Sequence, residues 1–384
     1  MNAPQVPLFD IAAENQSIRH ELIRALTQVV DSGRFLHGPD VTALEEELAA
    51  FCEVPSAVGC ASGSDALLLS LLAFGIGPGD EVIVPSFTFF ATASCVARVG
   101  ARIVFADIDP ATYQIAPQSV AELMGPDTRA IIPVHLFGAP APLDELLELT
   151  EGKPIRVIED AAQAIGARSR GRRVGGIADV GCFSFYPTKN MGGLGDGGML
   201  TTPDPDLADR LRLFAAHGMR PRYYHSVIGV NSRLDSLQAA ALRIKLRQLP
   251  RWNAARRVRA ARYGQWIEQA GLREHITTPT VDPADESVWN QYTVRVHRGQ
   301  RDALRQYLAE RGVATEVYYP VPLHRQACFR GGNVRWHRLA ETERAAGEVL
   351  SLPVFPTMTD AQQQYVVDSL REFFSGVSRR RESA

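Results

Sequence analysis

The sequence is nearly without lysine. Lysine and arginine together number 41 in 384 residues, yet lysine stands only at positions 153, 189 and 245. Cysteine is also sparse: Cys52, Cys60, Cys95, Cys182 and Cys328 are scattered, odd in number and without a CxxC pair. That pattern excludes a disulfide scaffold and reads as reduced thiols in a cytoplasmic protein. The nine histidines show no HExxH or similar ligand spacing, so no metal site is expected. No apolar run approaches the roughly 20 residues of a membrane helix. The start, "MNAPQVPLFDIAAENQ", lacks the basic-then-apolar layout of a secretory signal. A formal net charge of −2 gives no attraction to a nucleic acid polymer or an anionic membrane surface.

What remains is ordinary globular material, 45% hydrophobic and 22% charged, long enough for two domains. β-rich runs at 56–60, 80–85, 101–108, 128–136, 155–160 and 179–185 alternate with helical patterns such as "SDALLLSLLAFG" and "PLDELLELTEG". Alternation of this kind predicts an α/β fold with a mostly parallel sheet between helices. Two amphipathic helices, "IRHELIRALTQVVDSGRF" and "DVTALEEELAAFCE", precede the sheet. After about residue 235 comes one long helical stretch, bent near Pro250. A smaller α+β unit follows: strand 290–297, helix 301–312, strand 313–319, helices 337–349 and 360–374, and a disordered "SRRRESA" end. The expected division is a large domain over 1–240, then connector helix and small C-terminal domain over 241–384.

Ligands of open parallel sheets collect at the carboxyl ends of strands, so the residues after each strand carry the argument. "ASGSDALLL" follows 56–60. Small residues opening into an apolar helix leave free N–H groups at Ser62, Gly63 and Ser64, an anion cradle or a plain helix cap. "EDAAQA" ends the next informative strand. Period two sends Glu159 and Asp160 to opposite faces; a carboxylate in the cleft needs a cationic partner, unless it only caps a helix. "YPTKN" follows 179–185. Lys153 lies in a turn at the wrong end of the sheet, and Lys245 reads as a solvated or stem-packing residue. Lys189 shares the edge with Gly63 and Asp160. Arginine stays charged, whereas lysine can lose its proton and attack a carbonyl. A phosphate at 62–64, a ring nitrogen cation at Asp160 and an aldehyde at Lys189 describe pyridoxal 5′-phosphate. Phe87, Phe89 and Phe90 offer rings for stacking or for the core, and Gln163 could reach a phenolate oxygen.

Six stretches together, "ASGSDAL", "GPGDEVIVPSFTFFATA", "IEDAAQAIGA", "FSFYPTKNMGGLGDGGML", "IGVNSRLDSLQAA" and "VYYPVPLH", resemble the DegT/DnrJ/StrS family of pyridoxal-phosphate-dependent sugar aminotransferases. The similarity runs from about residue 6 to 372. It implies the fold type I architecture of aspartate aminotransferase and a homodimer with shared active sites. By motif, Lys189 looks like the Schiff-base lysine, Asp160 the partner of the pyridinium nitrogen and Gln163 the contact to the phenolic oxygen. Phe89 takes the place of the stacking aromatic, and Gly63, Ser64 and Ser184 match phosphate contacts. Asn231 resembles a residue reaching the neighbouring subunit's phosphate. Tyr319 and His324 fall where the family contacts the sugar nucleotide.

The implied reaction moves an amino group from glutamate to a nucleotide-linked keto sugar. "GVNSRLDSLQAA" and "HGMRPRYYHSVIG" look more like members acting on 3-keto than on 4-keto sugars. His217, Arg222, Tyr223 and His225 lie where substrate could be read, although Arg222 also fits a surface ion pair. Relatives with histidine in place of the lysine act as dehydratases. Elimination on the same scaffold and a non-catalytic regulatory protein are the rival readings.

Overall fold

A computed structural model describes residues 5–382. The larger sheet contains β1 (Ser56–Cys60), β2 (Glu81–Pro85), β3 (Arg102–Ala106), β4 (Thr128–Ile131), β5 (Arg156–Asp160), β6 (Val180–Ser184) and β7 (Gly198–Thr202). β8 (Ile276–Thr277), β9 (Tyr292–Val296) and β11 (Val349–Leu352) form a second, antiparallel sheet. The short strand between them, β10 (Val334–Trp336), crosses back and pairs with β3. The larger sheet therefore has eight strands in the order β1-β7-β6-β5-β4-β2-β3-β10. Every pairing is parallel except the two made by β7.

The central strands are buried along their length, as expected of a sheet covered on both faces. The helix Gly63–Phe74 is apolar nearly all round and sits inside the core, with Leu67, Leu69 and Leu71 at most 1% exposed. The helix Ser236–Gln269 runs unbroken through Pro250. Helices Arg301–Glu310 and Asp360–Glu382 cover the second sheet around a core of Tyr263, Val294, Leu304, Leu308 and Phe374.

Several expectations need correction. Residues 313–319 form no strand; Val313 bridges Val6 and Glu316 bridges Ser351, each once. Their β-branched side chains serve the core directly, with Val313 and Val317 buried. The helix expected over 337–349 is Ala340–Glu348, and the apolar run after it becomes β11. β7 was not expected, because "GGMLTT" opens on glycine and is short. The C-terminal helix continues to Glu382, through most of the stretch expected to be disordered; Ser383 and Ala384 lie outside the described residues. No helix among the described residues is long and apolar enough to cross a membrane.

Candidate active site

The carboxyl edge of the sheet brings β1, β2, β5 and β6 to one place. Asp160 ends β5 and is 5% exposed. Its Oδ2 accepts from the Thr92 hydroxyl at 2.8 Å and its Oδ1 from the Ala162 N–H at 3.3 Å. Burial pushes the carboxyl above its ordinary range; the Thr92 and Ala162 hydrogen bonds, then the charge of Lys189, act against this. No helix starts after Asp160, so it is not a cap. Glu159 points the other way and is fully buried. It accepts from the N–H groups of Gly175, Ile177 and Ala178 at 2.6–2.8 Å and from His135 Nε2 at 3.0 Å. The Ala141 N–H donates to His135 Nδ1, so the ring proton lies on Nε2 and is given to Glu159. Glu159 is thus a structural carboxylate.

Lys189 is half-buried in the loop after β6. Burial lowers its amine to about 8, opposed by the Asp160 carboxylate. Its amine makes no hydrogen bond within the described residues. Lys245 corrects the expectation of a solvated residue: it is 3% exposed, donates to the Gly192 carbonyl at 2.6 Å, and burial lowers it to about 8 as well. Lys153 is exposed in the turn after the helix Leu143–Thr150 and bonds back to the Leu149 carbonyl.

At the start of the helix Gly63–Phe74, Ser62 is the cap and accepts from the Asp65 N–H. The N–H groups of Gly63 and Ser64 are left without an acceptor among the described residues, as the first turn of a helix dictates. A Cβ on Gly63 would lie 2.7 Å from Ser184 Cβ, so glycine is needed where the start of this helix meets the end of β6. Of the three phenylalanines, Phe87 is 1% exposed in the core and Phe90 stacks on Phe329. Phe89 is 56% exposed and meets the Tyr319 ring at 6.2 Å. Gln163 accepts from the Phe137 N–H at 2.7 Å and donates to the Tyr319 hydroxyl at 3.3 Å. Phe89, Gln163 and Tyr319 therefore form one wall.

His324 is placed differently. It is 5% exposed, with Nδ1 on the Ser86 hydroxyl and Nε2 on Glu343, which leaves no ring nitrogen free for a sugar nucleotide. Asn231 is exposed and accepts from Arg233 Nε at 3.0 Å; the following helix starts at Ser236, so Asn231 does not cap it. His217, Arg222, Tyr223 and His225 belong to an exposed arm. There His225 Nδ1 donates to the His217 carbonyl, and the Arg222 guanidinium lies over the Tyr223 ring instead of in an ion pair. Sequence reasoning missed Thr92, His135 and the role of Lys245; only the "FATA" run after the phenylalanines could have drawn attention to Thr92.

The edge fits a flat cationic ring with a phosphate and an aldehyde. Among the described residues the buried carboxylate has two neutral donors and no cation in contact with it, two N–H groups lack an acceptor, and a half-buried amine of lowered pKa lies on the same edge.

Comparison with known proteins agrees with that chemistry. A family model described as the DegT/DnrJ/EryC1/StrS aminotransferase family matches residues 16–371. The "Pleiotropic regulatory protein" of Geobacillus stearothermophilus is 45% identical over 96% of this chain and 98% of its own. The dTDP-3-amino-3,4,6-trideoxy-alpha-D-glucose transaminase of Streptomyces venezuelae is 44% identical over 96% of each chain. The crystal structure of S. venezuelae DesV in complex with a ketimine intermediate superposes with a TM-score of 0.92 at 45% identity, covering 96% of this chain and 98% of that one.

Proposed function

We propose, from the premise that this chain belongs to the DegT/DnrJ/EryC1/StrS aminotransferase family, that it transfers an amino group from glutamate to a nucleotide-linked 3-keto sugar. It is an aminotransferase, and its cofactor is pyridoxal 5′-phosphate. Bound, that cofactor supplies an aldehyde that carries the amine and a cationic ring that takes up electrons from the substrate carbon.

The chain's own residues do the rest. The amine of Lys189, with its pKa near 8, is in part neutral at physiological pH and can take the proton from the substrate carbon and return it one atom away. Asp160 would hold the proton on the ring nitrogen, with Thr92 fixing the carboxylate. The N–H groups of Gly63 and Ser64 and the Ser184 hydroxyl would hold the phosphate. Phe89 would cover the ring, and Gln163 and Tyr319 would hold its oxygen. The observation that carries the reading is the placement of Lys189 and Asp160 at one edge of the sheet: Asp160, 5% exposed, ends β5, and Lys189 lies in the loop after the neighbouring β6, with its amine lowered by burial.

The 3-keto substrate is supported by the amino position in the name of the Streptomyces relative. His217, Arg222, Tyr223 and Tyr319 are the residues assigned to reading the sugar nucleotide. A homodimer with shared sites is supported by the arm bearing Asn231: Tyr223, Tyr224 and Ile228 are 73%, 70% and 94% exposed, an apolar set that asks for a partner. The enzyme works in the cytoplasm in this reading. A regulatory role, suggested by the name of the Geobacillus relative, is the second reading; a regulator has no need of a lysine tuned to proton transfer. The test is to assay the cofactor-loaded protein with glutamate against a panel of nucleotide-linked 3-keto and 4-keto sugars. Turnover on 3-keto members is expected. A protein without a visible cofactor band, or one inert toward every sugar, overturns the proposal.

A further inference from the structure

The glycine run after Lys189, "MGGLGDGG", is not there for unusual backbone angles: Gly192, Gly193, Gly195, Gly197 and Gly198 all avoid the left-handed region. Close approach requires them. A Cβ on Gly192 would lie 2.1 Å from the Pro187 carbonyl oxygen. On Gly193 it would lie 2.8 Å from Gln238 Oε1, and on Gly195 2.9 Å from Gln238 Nε2. The loop is pressed flat, and the long helix Ser236–Gln269 is one of the surfaces it is pressed against.

That helix grips the loop at alternate residues. Gln238 Oε1 accepts from the Leu194 N–H at 2.7 Å. Lys245 Nζ donates to the Gly192 carbonyl at 2.6 Å. Asn253 Oδ1 accepts from Asn190 Nδ2 at 2.8 Å. The three side chains are 7 and 8 residues apart, roughly two turns each, so they lie on one face of the helix. Their partners, 194, 192 and 190, descend two by two toward Lys189. The far end is tied down as well: Asn190 donates to the Val288 carbonyl, and Asn290 donates to Asn190 Oδ1. Lys245 and Asn253 are 3% exposed, so these bonds form away from water.

We propose that Gln238, Lys245 and Asn253 are positioning residues for Lys189: by fixing residues 190–194 they hold its amine at Asp160 before the cofactor arrives. The proposal rests on the reading of Lys189 as the residue that bonds the cofactor. Preorganisation of this kind lowers the cost of bringing amine and aldehyde together. Its signature is therefore in cofactor attachment and not only in stability.

The experiment compares Gln238→Met, Gln238→Glu, Lys245→Met and Ile244→Ala. Ile244 is buried on the same helix but packs beneath Ile18 and Leu22, away from the loop. For each protein the affinity for added pyridoxal phosphate, the rate at which the visible band appears and the melting temperature are measured. Borohydride reduction with peptide mapping then locates the adduct. Lys245→Met is expected to weaken binding or slow band formation by roughly tenfold or more, the effect of losing one buried hydrogen bond, and Gln238→Met, whose bond to Leu194 is exposed, by about threefold or more. Gln238→Glu keeps the acceptor for Leu194 and should recover most of the rate. Ile244→Ala should lower the melting temperature and leave attachment unchanged. Gln238 is only half-buried, so its pair of variants decides the matter if Lys245→Met does not fold. Wild-type attachment in Gln238→Met overturns the proposal. So does an equal loss in Ile244→Ala at matched melting temperature. An adduct mapped to a residue other than Lys189 in the wild-type protein removes the premise, and the proposal with it.

Discussion

Asp160→Asn is expected to leave the cofactor-free protein at least as stable as the wild type and to make the enzyme far slower. The carboxylate is 5% exposed, and its oxygens have one hydroxyl and one amide N–H as donors. Burial raises its pKa, so the folded state holds the proton more tightly than the unfolded chain does. The stabilising contribution of that proton is complete below the ordinary carboxylate range and is lost as the pH rises through the folded value. At neutral pH the ionised group therefore costs stability, about 1.4 kcal/mol for each tenfold gain in proton affinity on folding. An asparagine has the same shape, lets the Thr92 hydroxyl keep a partner and carries no charge. The melting temperature of the cofactor-free variant at pH 7–8 should match or exceed the wild type, with the difference shrinking as the pH is lowered. Catalysis should respond in the opposite sense. Removing a preorganised charge from the reacting centre costs roughly 3–4 kcal/mol, or about 10²–10³ in rate. Stopped-flow absorbance of the cofactor on mixing with glutamate measures the first half-reaction directly. A rate within about fivefold of the wild type, less than about 1 kcal/mol of barrier, would refute the role of Asp160. A clear loss of stability without cofactor would refute the burial argument.

Lys189→Ala should retain the wild-type melting temperature without cofactor, lose the covalent adduct after borohydride reduction and lose turnover; an adduct that persists in this variant but not in Lys245→Ala would contradict the assignment. Glu159→Gln replaces an acceptor oxygen by a donor among four N–H groups and should destabilise the fold by about 3 kcal/mol or more in urea unfolding; a change under about 1 kcal/mol would mean that the 175–178 loop has another anchor. Mixing Lys189→Ala with Asn231→Asp subunits should restore activity that neither parent has, because one site of each heterodimer carries no lesion; no recovery, with heterodimers confirmed by mass, would place Asn231 outside a shared site.

The parallel sheet was legible because buried parallel strands are short, apolar and spaced by helices, and all six N-terminal runs became strands. β7 was not legible: glycines that serve close approach to Ser62 and Leu234 suppress its strand signal. The 313–319 run failed in the opposite way, since Val313 and Val317 fill a core while the run makes only two isolated bridges. Lys189, Asp160, Gly63, Ser184, Gln163, Phe89 and Tyr319, each of which ends or follows a strand or a motif, come together at one edge of the sheet, and their proposed roles await the tests above. His324 could not be placed from its motif, because its partners Ser86 and Glu343 come from distant segments. Thr92 and His135 act through other side chains, and nothing in their local sequence announces that.

The scarcity of lysine has a physical reading in the two copies that burial affects, Lys189 and Lys245. Lys189 and Lys245 are lowered to the same value, about 8, and for the same first cause, burial. The pKa alone would not tell the lysine proposed to bond the cofactor from its neighbour. The partners do: the Lys189 amine feels the charge of the Asp160 carboxylate and makes no hydrogen bond within the described residues, whereas Lys245 is committed to the Gly192 carbonyl, with Glu14 as the nearby charge. Arginine suits neither place. At 189 it could not give up its proton, and at 245 a five-donor guanidinium would leave donors unmet beside a single carbonyl. A chain that uses arginine nearly everywhere else thus keeps lysine where the cation must be small or losable. Both such places bear on one loop: Lys189 lies in it, and Lys245 holds it.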